Sequence, residues 1–142
     1  MGKGCVLGTG IDIVETERVR RMLDRWGVAF KDRVFLPLEQ TYCDDKASPH
    51  SHYAGRFAVK EAVTKAFGTG ISAAIGWLDV EVVRDERSGA PSVRLSDKAE
   101  RLARARGAEE VLVSLSHTRT YAVAQALLLG GCPVGGDGKR NS

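Results

Sequence analysis

A chain of 142 residues with 43% apolar content has material for one buried core and too little for two comfortable ones. The net charge of +3 is the remainder of 21 basic and 18 acidic side chains, which with 6% aromatic residues removes the general case for nucleic acid. Cys5, Cys43 and Cys132 are odd in number, far apart and without CxxC or Cys/His spacing, which argues against a disulfide framework or structural zinc and for a reducing cytoplasm.

In chain order, "GCVLGTGIDIV" (residues 4–14) reads as a strand of branched apolar residues broken by glycines, with Asp12 embedded between isoleucines. A helix is expected from about Glu15 to Trp26, with Val19, Met22, Leu23 and Trp26 at helical spacing and Gly27 as its stop. Pro37 opens a second, shorter helix through about Asp44, and "KASPHSHY" breaks the pattern before a long helix from about His52 to Phe67. "WLDVEVVRD", with Leu78, Val80 and Val82 alternating, pairs with "SVRLS" as a hairpin across the turn residues "ERSGAP". Ser96 is an N-cap for "DKAERLARARG", ended by Gly107. Two strands, 110–116 and 120–128, turn at "HTR". The glycine-rich end reads as a disordered tail, giving a domain at 4–129 and a tail at 130–142. This order is α+β, a single domain with an antiparallel sheet packed against a long helix. No apolar run approaches the roughly 20 residues of a membrane span, and the start lacks the layout of a signal peptide.

Three polar groups stand where a core does not ask for them. On a wheel of 100° per residue, Val59, Ala62, Val63, Ala66 and Phe67 of the long helix share one side. Glu61 and Lys65 share the other, with Phe57 and Ala58. The pair reads either as an exposed i,i+4 ion pair or as charge held in a cleft. Gly68, Thr69 and Gly70 read either as a helix stop or as a loop where a phosphate approaches backbone N–H groups; they match no P-loop or dinucleotide fingerprint. Asp12 either caps the following helix or needs a cation, and with Glu61 it would form an oxygen site for Mg2+. His117 ends a strand after Ser114 and Ser116, but no nucleophile elbow supports a triad, and His50 and His52 read as solvent residues. Arg18, Arg21 and Arg25 with Met22 line one helix face, either simply solvated or suited to an acidic helix.

Taken in order, "GTGIDIVETERV", "AGRFAVKEAVTKAFGTGI" and "VSLSHTRTYAVAQ" resemble the holo-[acyl-carrier-protein] synthases, the short trimeric class of 4'-phosphopantetheinyl transferases, over roughly residues 6–128. The resemblance implies Mg2+-dependent transfer of phosphopantetheine from coenzyme A to a serine of an apo acyl carrier protein. It implies that Asp12 and Glu61 bind the metal, and that Lys65 meets the coenzyme A phosphates. Gly68, Thr69 and Gly70 would lie beside the nucleotide, and Arg56 and His117 would contact it. Arg18, Arg21, Met22 and Arg25 would meet the carrier protein. It further implies a homotrimer with sites between subunits. The alternative is a non-catalytic module that binds coenzyme A or an acidic carrier-protein helix, which would have no need of paired carboxylates.

Overall fold

The computed structural model describes residues 4–132. Strand β1 (Gly4–Glu15) leads into helices α1 (Thr16–Trp26), α2 (Val28–Val34), α3 (Pro37–Asp44) and α4 (Pro49–Ala66). A single 3-10 turn (Trp77–Asp79) precedes the hairpin β2 (Val80–Arg84) and β3 (Pro91–Leu95), followed by α5 (Asp97–Ala105), β4 (Ala108–His117) and β5 (Tyr121–Gly131). The main sheet is antiparallel with strand order β1-β5-β4, and β2 pairs with β3 in a second antiparallel sheet.

Small residues on one face of the main sheet let α4 lie close against it. Ala122, Ala124 and Ala126 of β5 are buried on that face, and Gly8 and Gly10 of β1 meet the backbone of Ala66 and Ala62. Register places Asp12 on this same inward set, while Ile11 and Ile13 point away and stay exposed, at 61% and 62%. Asp12 is thus not buried by the isoleucines beside it but is turned toward α4. The helix is buried almost all round, Phe57 and Ala58 included, so its polar residues sit against protein on nearly every side.

Several expectations change. Helix α4 begins at Pro49, three residues before His52, because proline tolerates the first helical turn. Helix α2 is additional, a seven-residue segment that starts directly after Gly27. Leu78 belongs to the 3-10 turn and is 43% exposed, so it does not continue the alternation of Val80 and Val82. Gly130 and Gly131 lie in β5 rather than in the expected tail, whose residues 133–142 fall outside the described ones. Cys5 and Cys132 form a disulfide, contrary to the expectation from cysteine number and spacing, which argue against a disulfide framework. The antiparallel pairing of β1 with β5 brings two cysteines 127 residues apart in sequence to a Cα separation of 5.0 Å, which spacing along the chain could not reveal. Cys43 is buried as a thiol, and burial pushes its pKa up to about 12, so it is inert.

Asp79 ties the 3-10 turn to α5. It accepts from the Gly76 N–H at 2.7 Å and the Ser96 hydroxyl at 2.7 Å, and pairs with Lys98 at 3.2 Å. Burial alone would raise its pKa, but these donors outweigh it and hold the carboxyl below the usual range. A lowered folded-state pKa contributes stability above the unfolded value, lost as pH falls through the folded one. Asp79→Asn should therefore cost about 1–3 kcal/mol at neutral pH, the ordinary range for hydrogen bonds to a charged group. The difference from the parent should close as pH falls below about 4, as read by urea unfolding; a gap that stays constant with pH would remove the carboxylate's role.

Candidate active site

The register of β1 and the passage of α4 across it bring Asp12, Glu61 and Lys65 together. Lys65 reaches over to β1, donating to Asp12 Oδ1 at 3.0 Å and to the Ile11 carbonyl at 3.0 Å. It does not pair with Glu61, so the simple i,i+4 ion pair is not formed. Glu61 is half-buried, and none of the ion pairs among the described residues engages it. Burial first, and the Asp12 charge second, raise its pKa above the usual carboxylate range, against the lowering effect of Lys65 and of Arg18 from α1.

Two carboxylates from different elements, one of them half-buried without a cationic partner, suit a hard divalent cation. Among the described residues no cluster of three or more His, Cys, Asp or Glu side chains is arranged to hold a metal. The donor set therefore fits Mg2+, which takes one or two carboxylates and completes its shell with water and phosphate oxygens, better than a metal needing a full protein cage.

The glycine loop is committed to ending α4. The Gly68 N–H donates to the Lys65 carbonyl at 2.9 Å, and the Thr69 and Gly70 N–H groups both donate to the Thr64 carbonyl, at 3.2 and 3.1 Å. Gly68 and Gly70 have φ of 82° and 62°, the left-handed region where glycine is favoured. The helix-stop reading holds, and these three N–H groups are not free for a phosphate.

Arg56 and His117 line one cavity elsewhere along α4. Gly55 leaves room for His117 and Leu115: a Cβ there would lie 3.4 Å from His117 Nε2 and 3.1 Å from Leu115 Cδ2. Two cavities of about 650 and 210 Å³ share Tyr42, Arg56, Val82, Val83, Arg84 and Gly89, and the smaller is also lined by His52 and His117. Tyr42 is the hub of this region. The Arg56 guanidinium lies 4.2 Å and the Lys46 ammonium 4.3 Å from its ring centroid, and Arg84 donates to its hydroxyl at 2.6 Å. No ion pair among the described residues neutralises Lys46, Arg56 or Arg84, and the buried Arg56 Nε has no partner. The larger cavity is otherwise of mixed charge, with Glu39, Glu81, Asp85 and Glu86 beside Arg87 and Arg94. The smaller one has no acidic lining among the described residues, and this cationic cavity suits an anion.

His52 faces this cavity rather than solvent. Burial first, and then Arg56, His117, Lys46 and Arg84, lower its pKa, so it is neutral at pH 7. Tyr42, Lys46 and Arg84 were absent from the sequence reading, and His52 was read as a solvent residue, whereas it lines the cavity. The one local signal was at Arg84, which by alternation falls on the strand face of Val80 and Val82, at its exposed end. Ser114 and Ser116 lie one step out of phase with the inward Val111, Val113 and Leu115, so they do not share a face with His117.

Arg18, Arg21, Met22 and Arg25, joined by Asp24 and Trp26, line a shallow cavity of about 520 Å³ on α1. Within one chain the sequence-read residues therefore form four groups: the carboxylates with Lys65, the Gly68–Gly70 loop, the cationic cavity, and the α1 face. Neither the Gly68–Gly70 loop nor Lys65 lines the cationic cavity.

A family model described as the 4'-phosphopantetheinyl transferase superfamily matches residues 8–126. The chain is 43% identical over 123 residues to a holo-[acyl-carrier-protein] synthase of Koribacter versatilis, covering 87% of this chain and 98% of that protein. It is 45% identical over 121 residues to one of Protochlamydia amoebophila, covering 85% and 96%. The crystal structure of the Neisseria meningitidis synthase superposes with a TM-score of 0.82 at 29% identity, covering 87% of this chain and 98% of that one. The Helicobacter pylori synthase, solved in complex with coenzyme A, gives 0.75 at 31% identity, covering 84% and 98%. Agreement in sequence and fold over nearly the whole length of these relatives makes this chain a member of the 4'-phosphopantetheinyl transferase superfamily.

Proposed function

We propose that this chain is a holo-[acyl-carrier-protein] synthase that transfers 4'-phosphopantetheine from coenzyme A to a serine of an apo acyl carrier protein. The serine Oγ forms a bond to the phosphorus that carries the pantetheine arm, the pyrophosphate bridge breaks, and adenosine 3',5'-bisphosphate leaves. The observation that carries the reading is the group of Asp12, Glu61 and Lys65 on the facing sides of β1 and α4, in a chain 43% identical to a named synthase.

Asp12 and Glu61 would hold Mg2+, which when bound supplies charge neutralisation on the pyrophosphate. Lys65, half exposed beside them, adds a second positive charge for the phosphate oxygens. Glu61 is the acceptor for the serine proton. Its support is its place beside Asp12 and Lys65 and the lack of an ion pair among the described residues that would hold it out of reach. The smaller, cationic cavity of Arg56, Arg84, His52 and His117 takes the anionic nucleotide end of coenzyme A, with Tyr42 as its aromatic wall.

The separation of that cavity from the carboxylates within one chain supports sites completed between subunits. The outer sheet face presents Val6, Ile11, Ile13 and Leu112, exposed at 58%, 61%, 62% and 45%, and it would bury them in a homotrimer. Sedimentation velocity at micromolar concentration should show a species near three times 15.3 kDa; a 15.3 kDa species alone would overturn the assembly.

Docking of the carrier protein falls to α1. Arg18→Glu or Arg25→Glu should raise the carrier-protein KM by about tenfold or more, with kcat less affected and the penalty shrinking at high salt. An unchanged KM would take this helix out of the docking surface.

Intact-protein mass spectrometry of an apo acyl carrier protein incubated with the chain, coenzyme A and Mg2+, beside an EDTA control, tests the reaction. Gain of one phosphopantetheine arm, only with metal present, is expected. No gain on several different apo carriers from folded protein that binds coenzyme A would refute it.

A further inference from the structure

Lys60 takes a charge into the middle of the fold, one residue before Glu61. Its ammonium is fully buried and pairs at 2.9 Å with an equally buried Glu39. It also donates to the carbonyls of Trp77 at 2.9 Å and Val80 at 2.6 Å. Glu39 uses both oxygens: Oε1 accepts from the Leu36 N–H at 2.8 Å and Oε2 from the Val82 N–H at 2.8 Å. Both charges are thus met by directed partners on more than one side.

Stability alone does not require this arrangement. Replacing a buried ion pair with apolar residues of similar volume is often neutral or stabilising, whereas removing one partner is costly. What the charges add is direction, since an apolar contact tolerates slippage and a carboxylate held by fixed donors does not. The bonded groups come from the start of α3, the middle of α4, the 3-10 turn and β2. Three of these elements carry walls of the smaller, cationic cavity: Tyr42 on α3, Arg56 on α4 and Arg84 on β2. None of the bonds reaches α1 or β1.

We propose that Lys60 and Glu39 are a positioning pair that sets the spacing of α3, α4 and β2, and through it the affinity of the cationic cavity for the nucleotide end of coenzyme A. This rests on the cavity's assignment to coenzyme A in the transfer reaction. Both side chains are buried and neither lines the smaller, cationic cavity, although Glu39 borders the larger one; the pair acts through Tyr42, Arg56 and Arg84.

The test is the double substitution Glu39→Leu with Lys60→Met, beside the single Glu39→Gln, which keeps side-chain shape but removes the charge. Binding of coenzyme A and of adenosine 3',5'-bisphosphate is measured by calorimetry, KM for each substrate by carrier-protein modification, and the melting temperature by circular dichroism. The double variant should melt within a few degrees of the parent. It should bind both nucleotides about tenfold or more weakly, the scale on which small misplacements act, with an unchanged KM for the carrier protein. Glu39→Gln should show the same split. A melting temperature preserved together with parental nucleotide affinity in either variant would overturn the proposal, as would failure of both variants to fold, which would make the pair purely structural. A parent chain that binds coenzyme A but transfers nothing would sink the reaction and leave the affinity comparison to decide the positioning role.

Discussion

Glu61→Gln should lower phosphopantetheine transfer by about a thousandfold or more, the combined scale of a lost metal ligand and a lost proton acceptor, while the chain stays folded. The structure gives the reason for both halves of this result. Glu61 is half-buried, engaged in no ion pair among the described residues, and has its pKa raised by burial and by Asp12. An amide of the same shape removes that repulsion, so the melting temperature should hold or rise. The same amide is a poor ligand for a hard cation and does not accept a serine proton. Turnover is followed by mass spectrometry of the carrier protein at saturating Mg2+. Undiminished turnover would show that neither metal binding nor proton transfer depends on this side chain. Asp12→Asn should act similarly on turnover, with a small stability loss, because the ion pair it breaks has a half-exposed lysine, its side chain 49% exposed.

Gly10→Ala should be the most damaging single methyl group in the sheet. An added Cβ would overlap the Ala62 carbonyl oxygen and would lie 2.7 Å from the Ala66 nitrogen and 2.9 Å from Lys65 Cβ. These atoms belong to the backbone and the first side-chain carbon of α4, so none can swing aside. Strand β1 must move off the helix, at a cost of about 3 kcal/mol or more. Asp12, two residues on and on the same inward face, moves with it, so the protein that remains folded should also transfer slowly. Urea unfolding gives the first effect and carrier-protein modification the second. Gly131→Ala is the control, since nothing lies within 4 Å of its would-be Cβ and it should be nearly silent. A parental urea midpoint for Gly10→Ala would mean that the strand and helix are not in such close contact.

Much of the fold was legible because its signals are local. Gly27 and Gly107 end helices with positive φ, the Ser96 hydroxyl accepts from the Ala99 N–H at 3.1 Å, and Val80 and Val82 alternate into the core. Helix α2 escaped notice because seven residues hold less than two full turns of periodicity. The start of α4 was misread because "SPHSH" is polar and proline-bearing, while its burial is supplied by neighbours distant in sequence.

By itself, the sequence determined which residue types could do chemistry: a carboxylate in β1, a carboxylate and a lysine four apart in α4, and arginines along α1. Spacing along a helix also sufficed to group Arg18, Met22 and Arg25 on one face. Only the tertiary structure decided what these groups meet. The β1–β5 register turned Asp12 toward α4 and took Lys65 away from Glu61. It also brought Cys5 to Cys132. The packing of α3 and β2 around α4 gathered Tyr42, Arg56 and Arg84 and locked Lys60 onto Glu39. The physical reason is range: helix periodicity, caps and turns act over a few residues and leave their mark in the chain. Ion pairs, cavities and disulfides depend on the spatial order of strands and helices, which is settled by burying the whole core at once.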